Sequence, residues 1–142
     1  MSEFHQALEE GNEIEQQVLN ILRVKYPCAV KIPGKFKDYD IYVPEIDKSI
    51  EVKSCPSCHD YGNIVIEIEM FGKPSGLLHS KADYWVIYDG NIFRIMTKND
   101  ILHCIFMSKL TYREFVGAGD TDSKKAFLVP ADKLLKYGKE LL

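Results

Sequence analysis

The chain has 142 residues, a formal net charge of −3 and 46% apolar residues, values typical of one globular domain. They exclude disordered and fibrous classes, and no apolar run approaches the roughly 18 residues of a membrane span. The acidic start Met1-Ser2-Glu3-Phe4 is unlike a signal peptide. We therefore expect a single domain over residues 1–142, a cytoplasmic location and no membrane association.

The predicted elements begin with one long helix from about Glu3 to Lys25, where apolar residues recur at helical spacing. Beyond it, hydrophobic patterning and turn residues predict short strands, at 29–32, 38–43, 49–53, 63–71, 84–88 and 92–96. Asp89-Gly90 predicts a hairpin turn between the last two strands.

The C-terminal third is predicted to contain a helix capped by Asn99 that runs to about residue 110. A loop is expected over 111–125, then a last strand over 126–129 and a helix that Pro130 opens at Ala131. This alternation of strands and helices predicts an α/β fold, with a mixed central β-sheet flanked by helices.

The segment from Asp38 to Lys53 carries the clearest functional signal. It predicts two antiparallel strands joined by a turn, with side chains alternating between the two faces. Its apolar side chains would be buried on one face: Tyr39, Ile41, Val43, Ile50 and Val52. Asp40, Glu51 and Lys53 would then converge on the other face. Two carboxylates beside a lysine suit a divalent cation, Mg²⁺ or Mn²⁺, with an activated water.

Glu15 is unusual because it lies in the middle of the apolar stripe of the first helix. A carboxylate aimed at the core costs free energy unless it is paired or bound to a metal. This position leaves three alternatives: a place in the metal site, an ion pair with a core lysine, or a carboxylate that reaches solvent at the edge of the stripe.

Several lysines surround the predicted site in the sequence. The group consists of Lys31, Lys35, Lys37, Lys73 and Lys81. Lysines of this kind are ordinarily solvated surface residues. Beside a metal site we expect them to contact the phosphates of a nucleic acid.

The order of a helix glutamate, a strand aspartate and a strand Glu-x-Lys resembles the signature of the PD-(D/E)XK nuclease superfamily. Asp40 matches the first acid, Glu51-Val52-Lys53 the Glu-x-Lys, and Glu15 the helix glutamate. Glu67, in Asn63-Ile64-Val65-Ile66-Glu67, also lines up with the motif. The order of later segments, including Pro74-Ser75-Gly76, is similar to the Holliday-junction-resolvase-like and phage endonuclease branches. Tyr39 stands where the superfamily often has proline.

The resemblance implies a restriction-endonuclease-like core and metal-dependent hydrolysis of DNA, in recombination, repair or phage DNA processing. It implies that Asp40 and Glu51 bind the metal, with the Val52 carbonyl as a third oxygen and Glu15 assisting. Lys53 would stand beside the attacking water, and Glu67 is a further site candidate.

Two other functions remain open at this stage. The first is a catalytically inactive nucleic-acid-binding module on the same fold. The second is a zinc-stabilised interaction domain built around Cys55-Pro56-Ser57-Cys58, although zinc usually needs a second pair of ligands. The other two cysteines, Cys28 and Cys104, are expected to be buried free thiols. The sequence leaves open whether the chain acts as a monomer or a homodimer.

Overall fold

The computed structural model describes residues 3–34, 37–116 and 123–141 of the chain. The first element is helix α1 (Glu3–Lys25), with the bounds that its sequence periodicity predicts. The strands that follow are β1 (Val30–Lys31), β2 (Ile41–Val43), β3 (Lys48–Ser54), β4 (Asn63–Met70), β5 (Lys73–Pro74), β6 (Tyr84–Tyr88), β7 (Phe93–Thr97), β8 (Arg113–Phe115), β9 (Lys124–Pro130) and β10 (Lys139–Glu140). The remaining helices are α2 (Cys58–Tyr61), α3 (Lys98–Met107) and α4 (Ala131–Leu134), with 3-10 turns at Gly76–Leu78 and Leu135–Tyr137.

These strands form two sheets within the described residues. The central sheet has six strands in the order β1-β2-β3-β6-β7-β10, and the second sheet has four in the order β5-β4-β9-β8. In the central sheet β3 and β6 run parallel while the other neighbours are antiparallel, so the sheet is mixed. The predicted α/β class with a mixed central sheet and helices is therefore confirmed.

Apolar side chains cover both faces of the central sheet. On one face, Val18, Leu19 and Leu22 of α1 pack with Ile41 and other strand residues, forming the α1 cluster. On the other face lies the inter-sheet cluster, in which the central sheet meets the second sheet, α3 and α4. Neighbouring residues of β6 alternate between the two clusters, as the pleat of a strand requires.

Tyr39 differs from its predicted orientation. It packs against the inter-sheet cluster, whereas Ile41 belongs to the α1 cluster. The predicted strand over 38–43 begins only at Ile41, so strict alternation does not extend back to Tyr39. The prediction that Tyr39 shares a face with Ile41 is wrong for this reason.

The helix after β7 begins two residues earlier than predicted. Its N-cap is Thr97, whose Oγ1 accepts a hydrogen bond from Asp100 N at 3.0 Å. Asp100 Oδ2 in turn accepts from Thr97 N at 2.9 Å, which completes a capping box. The prediction that Asn99 caps this helix is therefore wrong.

The loop and helix predicted at the C-terminal end also differ from the structure. The predicted loop over 111–125 contains β8, whose residues are all exposed and show no alternation of apolar and polar residues. The C-terminal helix ends at Leu134, and the chain then adds β10 to the edge of the central sheet. No helix within the described residues is both long enough and apolar enough to cross a membrane.

Candidate metal centre

Asp40 makes three hydrogen bonds, one with the residue that follows β1 and two with β3. Its backbone N donates to Ile50 O at 2.9 Å, and its carbonyl accepts from Ile32 N at 2.8 Å. Its Oδ2 accepts from the backbone N of Val52 at 2.7 Å. Because the carboxylate is buried and held by the neighbouring strand, its Oδ1 has a defined position 3.1 Å from Lys37 Nζ. Asp40 is also near enough for its charge to affect the pKa of Glu51.

Glu51 and Lys53 lie on the face of β3 opposite to Ile50, as the sequence predicts, and line a cleft of about 270 Å³ next to β4. Ser80 Oγ donates to Glu51 Oε2 at 3.4 Å, a contact that sequence reasoning missed. Burial and the nearby charge of Asp40 raise the pKa of Glu51 to about 8, against opposing contributions from Ser80 and Lys37.

Glu15 reaches the same site from α1. Its Oε2 lies 3.1 Å from Lys31 Nζ, and its Oε1 lies 3.8 Å from Lys37 Nζ. Burial and Asp40 raise the pKa of Glu15, although the two lysines oppose the shift. Of the three alternatives left by the sequence, the lysine pairing is therefore present, and Lys37 links Glu15 to Asp40 near Glu51.

Lys37 lies between these acids. Its Nζ is 3.1 Å from Asp40 Oδ1 and 3.4 Å from the backbone oxygen of Ile32. Burial opposes ionisation of Lys37, but the attraction of Asp40, Glu15 and Glu51 outweighs it and raises the pKa of the ammonium. We call Glu15, Asp40 and Glu51 the acid cluster, and Lys37 its central cation.

Lys53 behaves differently from Lys37. Burial lowers the pKa of its ammonium, with smaller opposing contributions from Cys55, Glu67 and Glu51. No carboxylate in the described part of the chain forms an ion pair with it. Trp85 lines the same cleft, and its buried indole N–H has no hydrogen-bond acceptor among the described residues. The cleft thus combines carboxylates with donors that could serve a phosphate oxygen or a water.

Glu67 lies on β4 across the cleft from Lys53, so the structure keeps it beside the other candidates. Its Oε1 is 3.6 Å from Lys124 Nζ. Gly76, with φ of +49°, approaches so closely that a Cβ would collide with the Glu67 backbone oxygen. This close approach explains why glycine is needed at this point of the cleft wall.

The carboxylates of the acid cluster are ligands that suit a hard divalent cation, although they are not arranged as a complete coordination site. Within the described ranges, no three His, Cys, Asp or Glu side chains lie close enough to form a ready-made metal site. The acid cluster nevertheless offers carboxylate oxygens, the ligands that Mg²⁺ prefers. Its members also disfavour each other's ionisation, a cost that a bound cation would relieve.

The predicted phosphate-binding lysines occupy three kinds of place. Lys31 and Lys37 turn inward to the acid cluster, with 33% and 20% of their side chains exposed. Lys81 has 72% of its side chain exposed, and Lys73 is exposed on β5. Lys35 lies outside the described residues. Lys73 and Lys81 are thus the outward-facing members of the group.

Within the described residues, the cysteines belong to no group of three or more His, Cys, Asp and Glu side chains that could hold a metal ion. Cys58 is buried, and its Sγ lies 3.8 Å from the backbone oxygen of Asp89. The side-chain Oδ2 of Asp89 lies 3.3 Å from His59 Nε2. Burial and the neighbouring Cys55 raise the pKa of the Cys58 thiol to about 11, which makes it unreactive. Cys104 is buried as predicted, whereas Cys28 is exposed, so that prediction is wrong.

A larger cleft, of about 380 Å³, lies away from these residues. It is lined mainly by apolar side chains of α1 and the central sheet, including Leu22 and Ile50. The ionisable candidates Glu51, Lys53 and Glu67 line the smaller cleft instead.

Comparison with models of protein families, with curated proteins and with solved structures finds no match to this chain. The likeness to the PD-(D/E)XK superfamily consequently stays a prediction from the sequence motif.

Proposed function

We propose that this chain is a metal-dependent nuclease that hydrolyses phosphodiester bonds, in DNA, on a single restriction-endonuclease-like domain acting in the cytoplasm. The observation that supports the proposal most is that Lys37 joins Glu15 to Asp40, while Glu51, whose pKa Asp40 raises, lines the same cleft as Lys53. The three acids and Lys53 come from α1 and from two strands, and their types and order also match the sequence motif.

Each residue has a distinct role in this proposal. Asp40 and Glu51, with the Val52 carbonyl and Glu15, would hold Mg²⁺ or Mn²⁺, which would polarise the phosphodiester and lower the pKa of a bound water. Lys53 orients the attacking water and offsets the negative charge that develops on the phosphate. Ser80 keeps the Glu51 carboxylate in place through its hydrogen bond.

A nucleic-acid-binding module without catalysis is the second candidate. It is favoured by the ion pairs of Lys31 and Lys37, because these satisfy Glu15 and Asp40 without any metal. The exposed Lys73 and Lys81 would bind phosphate equally well in either case.

A nicking assay on supercoiled plasmid with Mg²⁺, and with EDTA in place of Mg²⁺, distinguishes the two functions. We expect cleavage only with metal, and a loss of orders of magnitude in Asp40→Asn and in Glu51→Gln. The Asn variant is preferable to Ala because its amide oxygen still accepts the hydrogen bond from Val52 N.

The matched control is Glu140→Gln, which removes an exposed acid from β10 at the far edge of the central sheet. It should retain full activity. Undiminished cleavage in EDTA, or full activity of the Asp40 and Glu51 variants, would contradict the metal mechanism. DNA binding with no cleavage under any metal would favour the binding module.

A further inference from the structure

Lys37 has surroundings that differ from those of the other lysines near the site. Three oxygens from three different residues surround its ammonium: Asp40 Oδ1 at 3.1 Å, Ile32 O at 3.4 Å and Glu15 Oε1 at 3.8 Å. Only 20% of its side chain is exposed, against 72% for Lys81. The ammonium is therefore held inside the acid cluster.

A divalent cation bound to Asp40 and Glu15 would approach the same carboxylate oxygens that the ammonium contacts. Like charges at such short separation repel strongly where water is partly excluded. Lys37 in its present position and a metal at the acid cluster are consequently competing occupants. Lys31 differs, because among the described residues Glu15 is its one carboxylate partner and because its side chain has a larger exposed fraction.

We infer that Lys37 is an internal counter-cation, which holds Glu15 and Asp40 together in the metal-free protein and is displaced to solvent when a divalent metal binds. This inference rests on the proposed function, since it assumes that the acid cluster takes a metal. It assigns Lys37 a positioning role: the lysine keeps the acids assembled before the metal arrives and sets how much metal is needed.

Calorimetric titration with Ca²⁺, without nucleic acid, tests the competition. Lys37→Gln should bind Ca²⁺ about tenfold more tightly than the wild type, because the competing charge is gone. Lys37→Arg, which keeps the charge, should show no such gain. Lys139→Gln, an exposed lysine of β10, is the matched control and should bind as the wild type does.

Lysine acylation followed by mass spectrometry provides a second measurement that needs no variant. Lys37 of the wild-type protein should be protected in EDTA and become reactive on addition of Ca²⁺, while Lys139 reacts equally in both. Unchanged labelling of Lys37, or equal Ca²⁺ affinity of the Gln variant and the wild type, would overturn the inference alone. Absence of Ca²⁺ and Mg²⁺ binding in every protein would overturn the proposed function with it.

Discussion

At the residue scale, Glu51 is expected to make the metal-free protein sensitive to pH. Its pKa is raised from 4.5 to about 8, so between these values the folded state keeps a proton that the unfolded state has released. Stability should then fall as pH rises through this window and level off above it. The size of this contribution is on the order of 3 kcal/mol.

Urea unfolding in EDTA at about pH 5 and about pH 8 measures this effect. The Glu51→Gln variant cannot ionise, so it should lose less stability than the wild type over the same interval. Comparing the two proteins cancels the contribution of Lys53, whose lowered pKa acts in the opposite direction. Equal losses in both proteins would mean that Glu51 is ionised at neutral pH.

Lys53 is expected to serve chemistry more than binding. It lies in the cleft beside Glu51 and has no carboxylate partner within the described residues, so it is available to a water or a phosphate oxygen. Lys53→Ala should lower the single-turnover cleavage rate by about a hundredfold or more. DNA affinity, measured in Ca²⁺, should change far less. If rate and affinity fell by the same factor, Lys53 would contribute to DNA binding through a phosphate contact and not to the chemical step.

At the element scale, the start of α3 depends on the Thr97–Asp100 capping box. Thr97→Ala removes the acceptor of the Asp100 N–H and should lower the free energy of unfolding by about 1 kcal/mol. Asn99 is exposed in the first turn, and Asn99→Ala is the matched control, expected to change stability by less than about 0.5 kcal/mol. Chemical denaturation of the two variants checks this, and an equal cost for both would contradict the assigned cap.

At the scale of the whole molecule, the net charge of −3 is unfavourable for binding a polyanion, so the proposed binding of DNA requires local lysines to supply the attraction. The double variant Lys73→Ala/Lys81→Ala should flatten the slope of log affinity for DNA against log salt by about one unit for each lost phosphate contact. Lys139→Ala should leave the slope unchanged. An unchanged slope in the double variant would show that neither lysine contacts a phosphate.

The sequence pattern was sufficient to predict those parts of the fold that depend on residues within one element. The bounds of α1 and the burial of Ile50 opposite to Glu51 follow from repeats of 3.6 and 2 residues, and the strand at β6 follows from its short continuous apolar run. Asp40, Glu51 and Glu15 were identifiable as site candidates in the same way, from acids placed against an apolar pattern.

Only the tertiary structure decided the parts that depend on distant segments. β8 and β10 have no alternating pattern, because each is short, exposed and paired at an edge. Nothing in the sequence distinguishes Lys37 from other lysines, and lysines are ordinarily predicted to be exposed to solvent. Its ammonium becomes an internal cation because the packing of α1 brings Glu15 to the segment that leads into β2. Patterns report burial along one element, whereas charge pairing depends on which elements meet.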